Sequence, residues 1–143
     1  MSPLLKPPPV PDRYSEGFWQ AAAEGRLALQ RCDHCGHFAH PPVFVCPACL
    51  DPAASFSWEP VSGRGVIRTW TVMHMAFLPA FAAEVPWVIV QAELEEQAGL
   101  RYLANLLDGP SAELRIGAPV EVVFETLPGG MVLPQFRLAG EAG

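Results

Sequence analysis

The sequence predicts a mainly β protein, and three observations predict it. Five segments in its second half have strand length and are rich in β-branched, aromatic or alternating apolar residues. Turn residues separate them, and no stretch carries a long helical period. Four cysteines, Cys32, Cys35, Cys46 and Cys49, stand in two Cys-x-x-Cys pairs. Half of the 143 residues are hydrophobic, enough for a sizeable core, while only 17% are charged and 16 are proline. That balance favours strands and loops over disorder.

The elements follow in chain order. Residues 1–13 form a proline-rich arm, with five prolines between residues 3 and 11, a pattern that favours extended polyproline geometry. It is either a plain tail or a partner-binding arm. Residues 14–25 hold a short helix, capped by Ser15, running from Glu16 to about Glu24 and stopped by Gly25. Phe18, Trp19, Ala22 and Ala23 are expected on one side of it. So short a helix needs a cover for that face, either the body of this protein or a partner that Phe18 and Trp19 would touch. Residues 26–56 carry the cysteine pairs. Arg26 to Arg31 alternates, with Leu27 and Leu29 on one side, and enters the first pair; Phe38 to Val45 leads into the second; Phe56 to Trp58 is a short strand leaving them. Residues 57–139 hold the five longer segments: Val66–His74, Val85–Glu95, Leu100–Leu107, Pro119–Thr126 and Leu133–Leu138. Val88, Val90, Ala92 and Leu94 face one way, as do Val120, Val122 and Phe124. Five strands with tight turns and no long helix between them fit a small closed barrel. Residues 140–143 are a tail.

Ten residues separate Cys35 from Cys46. Two such knuckles let four thiolates converge on one tetrahedral ion, with backbone amides turned toward sulfur. Zinc is the expected ion and iron the alternative. Four protein ligands leave no open position, so the ion is expected to be structural. His34, His37 and His40 lie nearby and are expected in solvent or behind the ligands. The N-terminus has no secretion-signal core, and the longest apolar run, Met75–Ala83, is too short to span a bilayer. The expected compartment is therefore the cytoplasm, where paired cysteines point to metal rather than disulfides.

No Gly-x-Ser-x-Gly elbow, phosphate loop or His-Glu-x-x-His helix is present. His74 ends an alternating strand alone, and Glu95 and Glu96 are adjacent, which sets them on opposite faces of a strand. No catalytic residue is assigned. The run Met75–Ala83 is almost wholly apolar, unusual for a connection. Either it folds back to plug the barrel, or Phe77, Leu78 and Phe81 form an exposed patch for a protein partner or an acyl chain. Arg64, Arg68 and Arg101 flank it in sequence and are candidates for the phosphates of one small ligand, against an ordinary solvated role. A single-stranded nucleic-acid module is the alternative function, with Trp70, Trp87 and Tyr102 stacking bases. A net charge of −6 with one lysine, Lys6, argues against it.

The Phe18-Trp19 helix, the two knuckles, the run Gly63-x-Gly65-Val66-Ile67-x-Thr69-Trp70-Thr71-Val72-x-His74 and the later Leu114-Arg115-Ile116-Gly117-x-x-Val120 together resemble one family. It comprises the zinc-ribbon/OB-fold acyl-CoA-associated proteins, long catalogued as a domain of unknown function. The resemblance covers about residues 14 to 139. It implies a rubredoxin-like zinc ribbon, with Cys32, Cys35, Cys46 and Cys49 holding one zinc, followed by an OB-fold barrel. It also implies a non-catalytic subunit. Family members associate with thiolase-like enzymes, acetyl-CoA acetyltransferases among them, and with related aldolases and acyltransferases. Some serve steroid side-chain degradation beside a thiolase-like aldolase and a hydratase. In such complexes the small protein helps assembly and shields or channels a CoA-bound intermediate. This chain departs from the pattern after Leu94, where Glu95-Glu96-Gln97-Ala98-Gly99 replaces a shorter acidic turn.

Overall fold

A computed structural model describes residues 5–140 of the chain. The first four residues of the arm and the last three of the tail lie outside the described residues. One short helix precedes a three-stranded sheet, and a five-stranded closed barrel follows.

Helix α1 spans Glu16–Ala23. Asp12, and not Ser15, organises its start. The Asp12 carboxylate Oδ1 accepts the backbone N–H of Tyr14 at 3.0 Å and of Ser15 at 2.8 Å, together with the Ser15 hydroxyl. Ser15 already has near-helical backbone angles and makes no side-chain cap, so the aspartate three residues earlier is the group that can reach the free amides. At the other end Gly25 takes φ +75°. Its N–H bonds the Ala22 carbonyl, and the Arg26 N–H bonds that of Ala21, the paired closure that a left-handed glycine permits. The buried face is Phe18, Ala21 and Ala22, with Trp19 half-buried and Ala23 exposed. Ala23, one residue past Ala22, is turned about 100° further round the helix axis. A Cβ on Gly17 would sit 2.2 Å from the Trp58 ring, so α1 lies directly on the sheet beneath it.

That sheet has the order β2-β1-β3, from β1 (Ala28–Cys32), β2 (Phe38–Ala39) and β3 (Phe56–Pro60). Leu27 and Leu29 are buried as expected, but so are Ala28 and Gln30. The second face is closed by the segment before Cys46. The Gln30 amide donates to the Val43 carbonyl and accepts the Val43 N–H. Strand β3 pairs with β1 along its whole length, from Cys32↔Phe56 to Ala28↔Pro60. A division after residue 56 runs through this ladder, which continues to the bond from Val61 N–H to the Leu27 carbonyl.

The barrel strands are β4 (Arg64–Met73), β5 (Trp87–Leu94), β6 (Arg101–Leu106), β7 (Pro119–Thr126) and β8 (Val132–Leu138), closed in the order β4-β5-β6-β8-β7. Each coincides with an expected segment. Alternation on β5 puts Val88, Val90, Ala92 and Leu94 inside, where they meet Ile67, Val120 and Phe136. The seam between β6 and β8 is thin, a parallel contact at Leu106↔Phe136. Side chains complete it. The Tyr102 hydroxyl donates to the Pro134 carbonyl, and the Gln135 amide oxygen accepts the Asn105 N–H. Helix α1 packs against β8, and its Phe18 ring stands 6.1 Å from that of Tyr102. The helix thus seals the seam.

Candidate metal centre and docking face

The knuckles are built by turns whose amides point at sulfur. The N–H of His37 bonds the Cys35 sulfur and that of Asp51 the Cys49 sulfur. Cys46 receives the N–H of both Cys49 and Ala48, and its thiol is drawn down to about 7, chiefly by the Cys49 amide. Gly36 closes the first knuckle at φ +79°, and Leu50 takes the same place in the second at φ +57°, a conformation that disfavours a leucine. Asp33 ties the first knuckle to β3 by accepting the hydroxyls of Ser55 and Ser57.

All four sulfurs are free thiols and lie within 4.8 Å of one another. The Cys32–Cys49 separation is 3.9 Å and that of Cys35–Cys46 is 3.6 Å. A tetrahedron with metal–sulfur bonds of ~2.3 Å has edges of ~3.8 Å, so the donor set fits one zinc ion. Cys32 and Cys46 are buried, Cys49 is intermediate and Cys35 is exposed. Among the described residues the cluster consists of these four cysteines, and four thiolates fill a tetrahedral shell, the pattern of a structural centre. The histidines divide. His34 is exposed, 3.7 Å from Asp51. His40 has turned away from the ligands toward the barrel, with its ring 5.2 Å from Tyr102 and 6.0 Å from Phe18. Its Nδ1 is buried without a hydrogen bond, and burial pushes the imidazole down to about 4.

The turn Glu95–Gly99 joins ribbon and barrel. The Gln97 amide accepts the Phe38 N–H at 2.8 Å and donates to the Phe38 carbonyl at 3.0 Å. Glu96 accepts the Ser62 N–H in the connection between the two modules. Nothing in the sequence distinguished Gln97 from an exposed turn residue.

The three arginines proposed for phosphates are each matched within the chain. Arg64 pairs with Glu95 at 2.6 Å, Arg68 with Glu93 at 2.9 Å, and Arg101 donates to Gln91 at 3.1 Å. Arg68 and the Gly99 amide hold Glu93 below the usual carboxylate range, and Arg64 does the same for Glu95. Two of the three arginines are thus paired with glutamates, and the third is held by a neutral amide. The aromatics proposed for base stacking are likewise engaged: Tyr102 is buried, and Trp70 packs against the core.

Of the candidate docking residues, Phe18 is buried in the chain's own core, so no surface of it remains for a partner. Trp19 is half-buried against the same core. The apolar connection does not enter the barrel, whose interior is already filled. Phe77 is 84% exposed, Met75 64% and Leu78 49%. A short 3-10 turn, Pro79–Phe81, shapes the loop, and Phe81 rests on Trp87 with ring centroids 6.0 Å apart. The proline-rich arm reaches this loop, where Lys6 pairs with Glu84 at 3.4 Å.

A family model described as the rubredoxin-like zinc ribbon domain of ChsH2 matches residues 19–53, and one described as the C-terminal OB-fold domain of ChsH2 matches residues 58–125. A solved structure described as an Ltp2-ChsH2(DUF35) aldolase holds a chain 31% identical to this one, with a TM-score of 0.77 over 92% of this chain and 99% of that one. The chain belongs to the ChsH2/DUF35 family. Its second half is accordingly an OB-fold barrel, and the cysteine cluster is the family's zinc site. Among curated relatives, a probable enoyl-CoA hydratase alpha subunit of Thermomonospora curvata is 35% identical over 137 residues, 94% of this chain and 40% of that protein. A DUF35 domain-containing scaffold protein of Methanocaldococcus jannaschii is 34% identical over 97 residues, 68% of this chain and 66% of that protein. The chain thus spans two-fifths of the first relative and about two-thirds of the second. No helix among the described residues is long and apolar enough to cross a membrane.

Proposed function

We propose that this ChsH2/DUF35 chain is a non-catalytic accessory subunit. It docks on a thiolase-like enzyme, an acetyltransferase, aldolase or acyltransferase, and supports the handling of an acyl-CoA, with a lipid or steroid side chain as the acyl class. One observation carries the reading: ribbon and barrel together superimpose on the whole ChsH2 chain of an aldolase assembly. The zinc centre supports it by being closed to substrate. The exposed loop supports it too, because a contiguous apolar stretch around Phe77 and Leu78 on a small protein marks an interaction surface. Phe77, Leu78 and Phe81 are the proposed contact residues.

The test is a tagged pull-down from the native cell, with retained proteins identified by mass spectrometry. A thiolase-like or other acyl-CoA enzyme recovered in near-equal amount is the expected result. Recovery of nucleic-acid machinery, or of no acyl-CoA enzyme, overturns the proposal.

A further inference from the structure

Beside the apolar loop lies a groove of about 330 Å³, walled by Lys6 of the arm, Phe81 and Glu84 of the loop, Trp87 on β5, Asn105 and Leu107 at the end of β6, and Glu125 on β7. Its chemistry is one-sided. None of its lining residues is an arginine, and its one base, Lys6, is already paired with Glu84. Among the described residues Glu125 meets an amide, the Gln135 Nε2 at 3.3 Å. Two aromatic rings, Phe81 and Trp87, lie 6.0 Å apart in its wall. By contrast Arg64, Arg68 and Arg137 are matched to glutamates elsewhere on the barrel.

We infer that this groove receives an arginine side chain of the docking partner. A guanidinium is planar and weakly hydrated, so it stacks on aromatic faces while its N–H groups reach carboxylates. The groove offers both, with Asn105 as a further acceptor, and the exposed Leu107 gives the residue's aliphatic stem an apolar wall. The partner surface that fits is therefore an apolar socket for Phe77 and Leu78 with an arginine at its edge. Lys6 is a competitor in this scheme: it occupies Glu84 until the partner's cation arrives. The inference rests on the docking reading only for the identity of the protein that owns the arginine.

The groove can be tested without any enzyme, so a failed pull-down and a failed groove are separate results. The full chain is titrated with N-acetyl-arginine methylamide and followed by NMR at the Trp87 indole N–H and the Asn105 side-chain amide. Saturable shifts are expected with the arginine compound and none with its neutral citrulline analogue. Glu125→Gln and Glu84→Gln should each weaken binding roughly three- to fivefold, the scale of one exposed charge pair. Lys6→Gln should tighten it by a similar factor, because it releases Glu84. Glu84 is half exposed, so its variant keeps the test open if Glu125→Gln perturbs folding. Equal response to citrulline, absence of saturation, or weaker binding in Lys6→Gln overturns the inference.

Discussion

Three of the four cysteines, Cys35, Cys46 and Cys49, receive backbone N–H groups at sulfur. Amides of residues 37, 48, 49 and 51 point at these sulfurs, yet burial and the neighbouring thiols still push Cys35 up and Cys49 up to about 11, so the crowded thiols call for a cation between them. Cys46→Ser should release the metal and unfold the ribbon, because binding energy at such a centre is folding energy. The check is metal content together with the melting temperature; full zinc and an unchanged Tm would refute the assignment. His40 is a different kind of residue, a neutral imidazole held between rings. Its proton affinity is lower folded than unfolded, at about 4 against 6.5. The stability it contributes is therefore complete above pH ~6.5 and is lost as pH falls toward 4, up to about 3 kcal/mol across that window. In melting curves between pH 7.5 and 4.5 the wild type should lose stability steadily relative to His40→Phe, which has no imidazole to protonate. A constant difference between them would show that His40 stays neutral throughout. The cysteines were legible in the sequence because their spacing is a geometric signal. His40 was not, since three histidines near a metal site look alike until the chain's path shows which one faces the barrel.

At the scale of elements, the recurrent device is a glutamine that stands in for a missing strand. Gln30 joins β1 to Val43, Gln97 joins the barrel turn to Phe38, and Gln135 joins β8 to the Asn105 amide and the Glu125 carboxylate. A side-chain amide offers the same donor and acceptor as a peptide, so it can continue a ladder where backbone is lacking. Gln97→Ala should cost about 1–3 kcal/mol, since it leaves two polar groups of Phe38 without partners in a part-buried contact. Hydrogen exchange is the discriminating measurement: the Phe38 amide should lose protection while amides of β5 keep theirs. The strands themselves were readable, all five of the barrel to within two residues or so at each end. Their alternation is dictated by the pleat, and turn residues fix their limits. The helix start at Glu16 was legible, but its capping group was not: Ser15 and Asp12 are both good caps, and only the backbone's path shows that the aspartate does the work. The bridging glutamines were illegible for a related reason: composition treats glutamine as a surface residue.

For the whole molecule, the ribbon and the apolar loop are distinct surfaces joined by one rigid barrel. The loop makes few contacts with the core, so its substitution should separate binding from folding. Phe77→Asp with Leu78→Asp should weaken capture of the acyl-CoA enzyme by at least tenfold, in the range of a lost apolar hot spot, and leave the melting temperature within about two degrees. A matching drop in Tm would instead assign these side chains to the core. The sequence left two outcomes open for this loop because an apolar run is equally suited to filling a barrel and to covering a partner. The structure decides: Ile67, Val88, Val90 and Phe136 line the interior while Met75, Phe77 and Leu78 stay in solvent. One further consequence follows from α1 sealing the seam between β6 and β8. A ribosome delivers residues 16–23 more than a hundred residues before β8, so the ribbon sheet can cover one side of α1 early, but the Tyr102 and β8 surface that completes the cover of Phe18 comes late. Loop-closure entropy places the contact of α1 with β8 among the last to form, and until then the nascent chain carries this helix covered on its ribbon side alone. The step at which this protein is most open to chaperones, or to premature capture by its own partner, is therefore the interval before the final strand is complete.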